Sequence, residues 1–169
     1  MVKVILYNAT TVNGYIAKSN GETPWSKKEW QTFHKTVKEM GNIIVGRRTY
    51  EIMAREKAFE GCGNPVVVVV TRSQKNQGKD VIFVDSPEKA VGALRSMKFK
   101  RLLLGGGRRL NSSFLLSGLV NEVWIDIEPF LFGDGIRIID ANNLNVKLKV
   151  IGFRRLSRDL VQIRYEIVK

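Results

Sequence analysis

Three consecutive glycines, Gly105–Gly107, follow the apolar run Leu102–Leu104 and precede a segment whose apolar residues recur at helical spacing. A second apolar run, Val123–Ile127, comes next, so the order strand, glycine turn, helix, strand is predicted, as in a parallel sheet. Glycine lets the backbone approach a ligand closely, and the free N–H groups that open a helix attract phosphate. The turn therefore either holds a phosphate-bearing cofactor or only lets the helix pack on the sheet. The G-x-G-x-x-G fingerprint is not met, because Leu110 occupies the third glycine position.

Two more strand ends carry residues suited to anions. The apolar run Asn42–Val45 leads into Gly46-Arg47-Arg48-Thr49-Tyr50, which opens a helix, and the five valines Val66–Val70 lead into Thr71-Arg72-Ser73. Guanidinium groups pair well with phosphate. In open α/β sheets, ligands lie beyond the carboxyl ends of the strands, so the three turns together predict one anion-binding edge.

Composition limits the class of protein. The chain has 169 residues, of which 44% are apolar, and one domain spanning residues 1–169 is expected. Cys62 is the sole cysteine, so neither a disulfide framework nor a cysteine-based metal site is predicted. Neither a secretory leader nor a membrane span is recognisable, and a cytosolic protein is expected. The net charge of +12 attracts anions, but the basic residues are scattered, which disfavours nucleic acid as the partner.

Periodicity predicts the elements that position these turns. The sum is an α/β fold: a mixed, mostly parallel sheet with helices on both faces and a C-terminal antiparallel hairpin. The predicted strands are 2–10, 42–45, 66–70, 81–84, 102–104, 123–127, 146–155 and 160–168, and the predicted helices include 27–40 and 87–98.

The first helix carries two competing signals. Ser26 is a predicted N-cap, and Glu29 three residues later completes a capping-box pattern. The stripe formed by Trp30, Phe33, Val37 and Met40 predicts the face that packs in the core.

The ordered set of motifs resembles the dihydrofolate reductase fold. Its members are Thr23-Pro24-Trp25, the helix with Trp30 and Phe33, Gly46–Glu51 and Gly105–Gly107. From Gly105 to Gly135 the chain is more similar to the reductase domain of bifunctional riboflavin-biosynthesis deaminase-reductases. The zinc motif of the deaminase half is absent, so the resemblance implies a stand-alone reductase domain.

The resemblance implies NADPH as cofactor and assigns residues to it. Arg47, Arg48 and Thr49 would meet the 2′-phosphate and pyrophosphate, and Thr71, Arg72 and Ser73 would flank the 2′-phosphate. Gly106 and Gly107 would approach the pyrophosphate, with Ala9 and Ile16 near the nicotinamide. The remaining implied cofactor contacts are Gly46, Gly105 and Arg108.

The resemblance also implies a substrate site, with one departure from the family pattern. Trp25, Trp30 and Glu29 are assigned to catalysis, and Tyr7, Asn8, Phe33 and Tyr50 to the substrate. Counted without gaps, the buried acid of the folate enzymes falls on Trp30, and Glu29 is one residue, or about 100° of helix, away. Glu29 is therefore either the substrate carboxylate or a capping glutamate in solvent.

Three functions compete. Reduction of dihydrofolate is the first interpretation, because Gly46–Tyr50 follows the folate-enzyme form. The alternative is reduction of a phosphorylated ribosylamino-pyrimidine in riboflavin synthesis, with Lys18, Lys27 or Lys28 holding the substrate phosphate. A nucleic-acid-binding protein without catalysis is the third, and a steep salt dependence of oligonucleotide binding would distinguish it. The apolar terminal strands suggest a homodimer.

Overall fold

The computed structural model describes residues 1–73 and 80–168 and contains an eight-stranded sheet, a two-stranded sheet and four helices within those ranges. Every predicted element is present, with bounds that differ by a few residues. In chain order the elements are β1 Lys3–Thr11, β2 Tyr15–Ala17, α1 Lys27–Met40, β3 Asn42–Gly46, α2 Arg47–Arg55, β4 Val66–Val70, β5 Val81–Val84, α3 Pro87–Ser96, β6 Arg101–Leu104, α4 Arg108–Leu116, β7 Glu122–Glu128, β8 Ile136–Arg137, β9 Leu148–Arg155 and β10 Val161–Ile167.

The large sheet runs in the order β5-β4-β3-β6-β1-β7-β10-β9. All neighbouring pairs from β5 to β7 are parallel, while β10 is antiparallel to both β7 and β9. The mixed, mostly parallel sheet and the C-terminal hairpin predicted from the sequence are thereby confirmed. Because β3 lies between β4 and β6, the turns that follow these three strands must meet at one edge of the sheet.

The helices cover both faces, as predicted. Val37 and Met40 of α1 pack with Tyr50 of α2 on one face, and Leu94 of α3 packs with Phe114 of α4 on the other. The valines of β4 alternate between these two cores, which explains why the strand contains no polar residue.

Helix α1 corrects two expectations. Its buried residues are Glu29, Thr32, Thr36, Val37 and Met40, so the predicted apolar stripe is only partly right: Trp30 and Phe33 are half-buried. Glu29 is 3% exposed and therefore is not a capping glutamate in solvent. The Ser26 hydroxyl does accept the Glu29 N–H, at 3.1 Å, but the Ser26 N–H donates to Glu128 Oε1 instead of to Glu29. A carboxylate from β7 thus takes over one half of the capping box.

The last strand of the sheet, β9, leaves large apolar side chains on the surface. Leu148, Val150, Ile151 and Phe153 are each at least 40% exposed. None of the helices in the described ranges is long and apolar enough to cross a lipid bilayer.

Candidate active site

The turns after β3, β4 and β6 meet in a rim that we call the basic rim and define by Gly46, Arg47, Thr71, Ser73 and Gly105–Gly107. The Gly46 N–H donates to the Gly106 carbonyl at 2.8 Å, which ties the β3 turn to the β6 turn. Arg47 Nη1 donates to Ser73 Oγ, and Ser73 Oγ lies 3.3 Å from Thr71 Oγ1. Residues from three separate segments therefore surround one small area at the carboxyl edge of the sheet.

Two helix N-termini open onto the basic rim. Helix α2 starts after Gly46 and helix α4 after Gly107, and within the described ranges neither start is capped by a side chain. Their first turns carry Arg47 and Arg48, and Arg108 and Arg109, with no acidic residue. Free N–H groups, aligned dipoles and guanidinium groups all favour a nearby anion.

The glycine turn does not readily accept a side chain at Gly106 or Gly107. Gly106 has φ +92°, which favours glycine, and a Cβ on Gly107 would lie 3.0 Å from Thr49 Oγ1. The Gly106–Gly107 peptide bond is cis. Asn8 Nδ2 donates to the Gly105 carbonyl at 3.4 Å, and Asn8 Oδ1 accepts from Asn111 Nδ2 at 2.8 Å. Asn8 thus braces the glycine turn from β1.

A second polar group lies under α1, and we call it the acid cluster: Tyr7, Glu29, Asp126 and Gln162. Tyr7 Oη lies 2.7 Å from Asp126 Oδ2 and 3.2 Å from Glu29 Oε1. Gln162 Nε2 donates to Asp126 Oδ1 at 2.6 Å. All four residues are at most 3% exposed. Asp126 is the register partner of Ala9 on β1, so the acid cluster lies beside the position assigned to the nicotinamide.

Burial dominates the ionisation of the acid cluster. Burial raises the pKa of Glu29 well above its usual range, and the neighbouring Asp126 charge raises it further. Burial also raises the pKa of Asp126, but hydrogen bonds from Tyr7 and Gln162 oppose that rise. The pKa of Tyr7 is raised by burial and by both carboxyl groups. Burial thus raises the pKa of both carboxyl groups, and hydrogen bonds moderate the rise at Asp126.

Of the remaining predicted substrate and catalytic residues, Phe33 lies against the acid cluster, and Trp25 and Tyr50 pack elsewhere. Phe33 stacks on Tyr7 with ring centroids 6.5 Å apart and meets Trp30 edge to face. Trp25 stacks on Phe132, in the segment after β7. Tyr50 packs against Phe59 and Phe83, toward β5, which does not bring it to the acid cluster.

The other predicted cofactor residues differ in burial and in the contacts that they make. Ala9 and Ile16 are half-buried at the end of β1 and in β2, and Arg72 and Arg48 are exposed. Arg108 forms an ion pair with Asp140 at 3.5 Å, which directs its side chain toward the segment after β8. The sequence-based assignments of these residues stay predictions.

Sequence reasoning missed Asp126, Gln162 and Asn111. All three are 0% exposed. Asp126 and Gln162 are polar residues inside apolar runs, VWIDI in β7 and VQI in β10, whereas Asn111 lies in the mixed segment LNSSF of α4. A polar residue in such a pattern signals a buried hydrogen-bonded group. That signal was present in the sequence, but not the identity of the partners.

This sheet, its helical layers and its glycine-rich carboxyl edge define the dihydrofolate reductase-like superfamily of reductase folds. Within that superfamily the family model of the RibD C-terminal domain matches residues 2–162, and the chain belongs to this family.

Named relatives agree with that assignment. A 2,5-diamino-6-ribosylamino-4(3H)-pyrimidinone 5′-phosphate reductase of Methanothermobacter thermautotrophicus is 28% identical over 94% of this chain and 95% of that protein. Dihydrofolate reductase type 5 of Escherichia coli is 31% identical over 76% of this chain and 78% of that protein. The uncharacterized protein YyaP of Bacillus subtilis is 25% identical over 96% of this chain and 94% of that protein. The relatives with an assigned activity are reductases.

A solved structure supports the fold. RibD of Acinetobacter baumannii matches with a TM-score of 0.80 at 17% identity, over 99% of this chain and 58% of that chain. The riboflavin-type matches span nearly the whole chain, while the dihydrofolate reductase match leaves about a quarter of it uncovered. The comparisons therefore favour the riboflavin-pathway alternative over the folate interpretation that the short motifs placed first.

Proposed function

We propose that the protein is an NADPH-dependent reductase whose acceptor is a phosphorylated ribosylamino-pyrimidine of the riboflavin-pathway type. The observation that carries the proposal is the basic rim, where two uncapped helix starts and Arg47 converge in a chain of the RibD C-terminal domain family. A dinucleotide phosphate satisfies those free N–H groups and guanidinium donors together.

The residues of the rim fit such a cofactor. Arg47, Thr71 and Ser73 would hold the 2′-phosphate, since their side-chain donors already meet at one point. Gly106 and Gly107 would face the pyrophosphate, because the glycines leave the backbone N–H groups accessible. When bound, reduced nicotinamide supplies a hydride to the acceptor carbon.

Side chains of the protein would shield the reacting groups from water and supply a proton. The buried Tyr7 ring stacks on Phe33 and would shield the region beside Ala9, where the nicotinamide is assigned, from water. Glu29, whose raised pKa keeps it protonated at neutral pH, holds the proton that the nitrogen of a reduced C–N unit requires.

Dihydrofolate is the second candidate acceptor. The specific observation that favours it is the buried acid Glu29 on α1, because the resemblance to dihydrofolate reductases implies a buried carboxyl group on this helix. The 31% identity with dihydrofolate reductase type 5 supports the same acceptor.

The test has two stages. NADPH binding is first measured by quenching of tryptophan fluorescence, and NADPH oxidation is then followed separately with the phosphorylated pyrimidine and with dihydrofolate. Turnover of the pyrimidine alone supports the first proposal, and turnover of dihydrofolate alone replaces it with the second. Absence of NADPH binding would refute both proposals.

We also propose that β9 pairs two copies of the chain. An apolar edge strand in water is unfavourable, and a second copy would cover Val150 and Phe153. Sedimentation analysis of wild type and Phe153→Lys tests this: a wild-type monomer at micromolar concentration contradicts it.

A further inference from the structure

The acid cluster contains more acceptor atoms than protons to satisfy them. Tyr7 Oη, which carries one proton, faces a carboxyl oxygen of Asp126 at 2.7 Å and one of Glu29 at 3.2 Å. If both carboxyl groups were ionised, one of them would face the phenol oxygen with no hydrogen between them. Such a contact between buried acceptors is unfavourable, so one of the two carboxyl groups must hold a proton.

The orientation of Gln162 decides which carboxyl group is ionised. Arg154 Nε and Arg164 Nε both donate to Gln162 Oε1, at 3.0 Å and 2.7 Å. The carboxamide oxygen therefore points to the two guanidinium groups, and the NH₂ group must point to Asp126 Oδ1. Asp126 Oδ1 thus accepts a hydrogen bond from Gln162 Nε2, and Asp126 Oδ2 accepts the hydrogen bond of the Tyr7 hydroxyl, which is the shorter of the two contacts of Tyr7 Oη.

The proton consequently belongs to Glu29. With the Tyr7 proton committed to Asp126, Glu29 Oε1 can contact Tyr7 Oη only by donating to it. Glu29 Oε2 is buried and has no hydrogen-bond partner among residues 1–73 and 80–168. A neutral carboxylic acid with a free carbonyl oxygen can accept from an N–H and give a proton to a ring or imine nitrogen, which is the pattern of a nitrogen heterocycle.

The other charged groups around Glu29 do not replace Asp126 in this role. Glu128, also on β7, is committed through Oε1 to the N–H and hydroxyl of Ser26. Arg154 on β9 and Arg164 on β10 reach the cluster through Gln162 rather than Glu29. Among the described residues, Asp126 is the carboxylate linked to Glu29 through a shared hydroxyl group.

We propose that Asp126 is a positioning residue that keeps Glu29 protonated, by taking both the Tyr7 proton and the buried negative charge. The inference rests on the proposed function for the destination of the Glu29 proton. The Glu29 proton leaves its bond to Tyr7 Oη and passes to the acceptor nitrogen, and the neighbouring carbon takes the hydride of the reduced cofactor. Glu29 then regains a proton from water. Asp126 stays ionised throughout and touches neither substrate nor cofactor.

The first test measures protonation directly, without cofactor or substrate. Carboxyl carbons labelled with ¹³C are titrated by NMR in wild type, Asp126→Asn and the control Glu122→Gln, which removes a carboxylate from the same strand. In Asp126→Asn the Tyr7 hydroxyl is free to donate to Glu29, so the Glu29 pKa should fall by about one unit or more, a tenfold change in its proton affinity. Glu122→Gln should leave the Glu29 pKa unchanged.

The second test is the pH profile of turnover. If Glu29 must be protonated, the high-pH limb of the kcat profile should move to lower pH in Asp126→Asn by the same shift that NMR reports. A role of Asp126 in packing alone would lower kcat at every pH without moving the limb. An unchanged Glu29 titration in Asp126→Asn, or an equal shift in Glu122→Gln, would overturn the proposal.

A second variant keeps the test decisive if Asp126→Asn does not fold. Tyr7→Phe removes the shared proton but no charge, so the Asp126 pKa should rise by about one unit because one of its two donors is lost. An unchanged Asp126 titration in Tyr7→Phe contradicts the shared-proton arrangement. Since both titrations use the free protein, shifted pKa values without turnover of any acceptor would refute the proposed function and leave the protonation assignment standing.

Discussion

The four helices within residues 1–73 and 80–168 begin in two different ways. Helices α1 and α3 start with a serine whose hydroxyl accepts a backbone N–H, and their first turns contain Glu29 and Glu88. Helices α2 and α4 start with Gly46 and Gly107, and their first turns contain arginines. The first pair satisfies its own N-terminal donors, whereas the second pair presents those donors to the basic rim. The contrast teaches that the uncapped helix starts lie where the ligand is proposed to bind.

Among the variants that test this contrast, a charged N-cap on α2 should have the largest effect on NADPH binding. In Gly46→Asp the new side chain would fit, since a Cβ there has no neighbour closer than 3.9 Å and φ is −76°. Aspartate is a good N-cap, so the melting temperature should not fall. Its charge would repel a phosphate, and the Kd for NADPH should rise roughly 100-fold.

Gly46→Asn is the matched control for that variant. It caps the helix without adding charge, so the Kd should rise less than about tenfold. Isothermal titration calorimetry and thermal melting of the two variants measure both effects. Equal losses of NADPH affinity in Gly46→Asp and Gly46→Asn would mean that the helix start does not face a phosphate.

Removal of an arginine at the open helix start should have the next largest effect. Arg47→Ala removes charge-assisted hydrogen bonds worth about 1.5–3 kcal/mol, so the Kd for NADPH should rise about 10- to 100-fold. The Kd for NADH should change much less, because NADH lacks the 2′-phosphate. Stability should change little, since the ion pair of Arg47 with Glu51 is exposed.

The control for Arg47→Ala lies on the same helix. Arg55 occupies the last turn of α2, away from the rim, and Arg55→Ala should leave both Kd values unchanged. Fluorescence titration of wild type, Arg47→Ala and Arg55→Ala with NADPH and with NADH gives the six Kd values required. If the loss in Arg47→Ala is the same for both cofactors, Arg47 does not bind the 2′-phosphate.

The smallest effect on NADPH binding should come from a change at a helix start that a side chain caps. Ser86→Ala removes the side chain that accepts the Lys89 N–H at 3.2 Å, and the free energy of unfolding should fall by about 1 kcal/mol. Helix α3 also begins at the carboxyl edge, since β5 is parallel to β4 and the Val84 carbonyl accepts the Thr71 N–H. The Kd for NADPH should stay constant, because Ser86 satisfies a donor of its own helix and is not a residue of the rim. Urea denaturation combined with the same binding titration would detect any coupling between this cap and the rim, which we do not expect.

Much of the fold followed from local pattern. The valine run of β4, the Ser86-Pro87 start of α3 and the period-two alternation of the last two strands each predicted an element that the structure contains. The glycine and arginine turns were placed at one edge for the same reason, since parallel strands must end together. These features depend on residues close to one another in sequence.

Glu29 shows why the rest could not be predicted. The spacing Ser26-x-x-Glu29 predicts a capping box, and the hydroxyl half of that box forms. The other half does not, because Glu128, 102 residues later, accepts the Ser26 N–H and hydroxyl and leaves Glu29 to turn toward Tyr7. Local spacing contains no information about a competing acceptor from β7.

The sequence by itself determined the succession of strands and helices along the chain and the glycine- and arginine-rich composition of the turns, because periodicity, caps and glycine conformations act within a few residues. The tertiary structure alone decided the acid cluster. Tyr7, Glu29, Asp126 and Gln162 come from four different elements, and only the strand order β1-β7-β10 with α1 above it brings them within hydrogen-bonding distance. The protonation of Glu29 is therefore a property of the packed sheet, since it arises from burial and from charges that are distant along the chain.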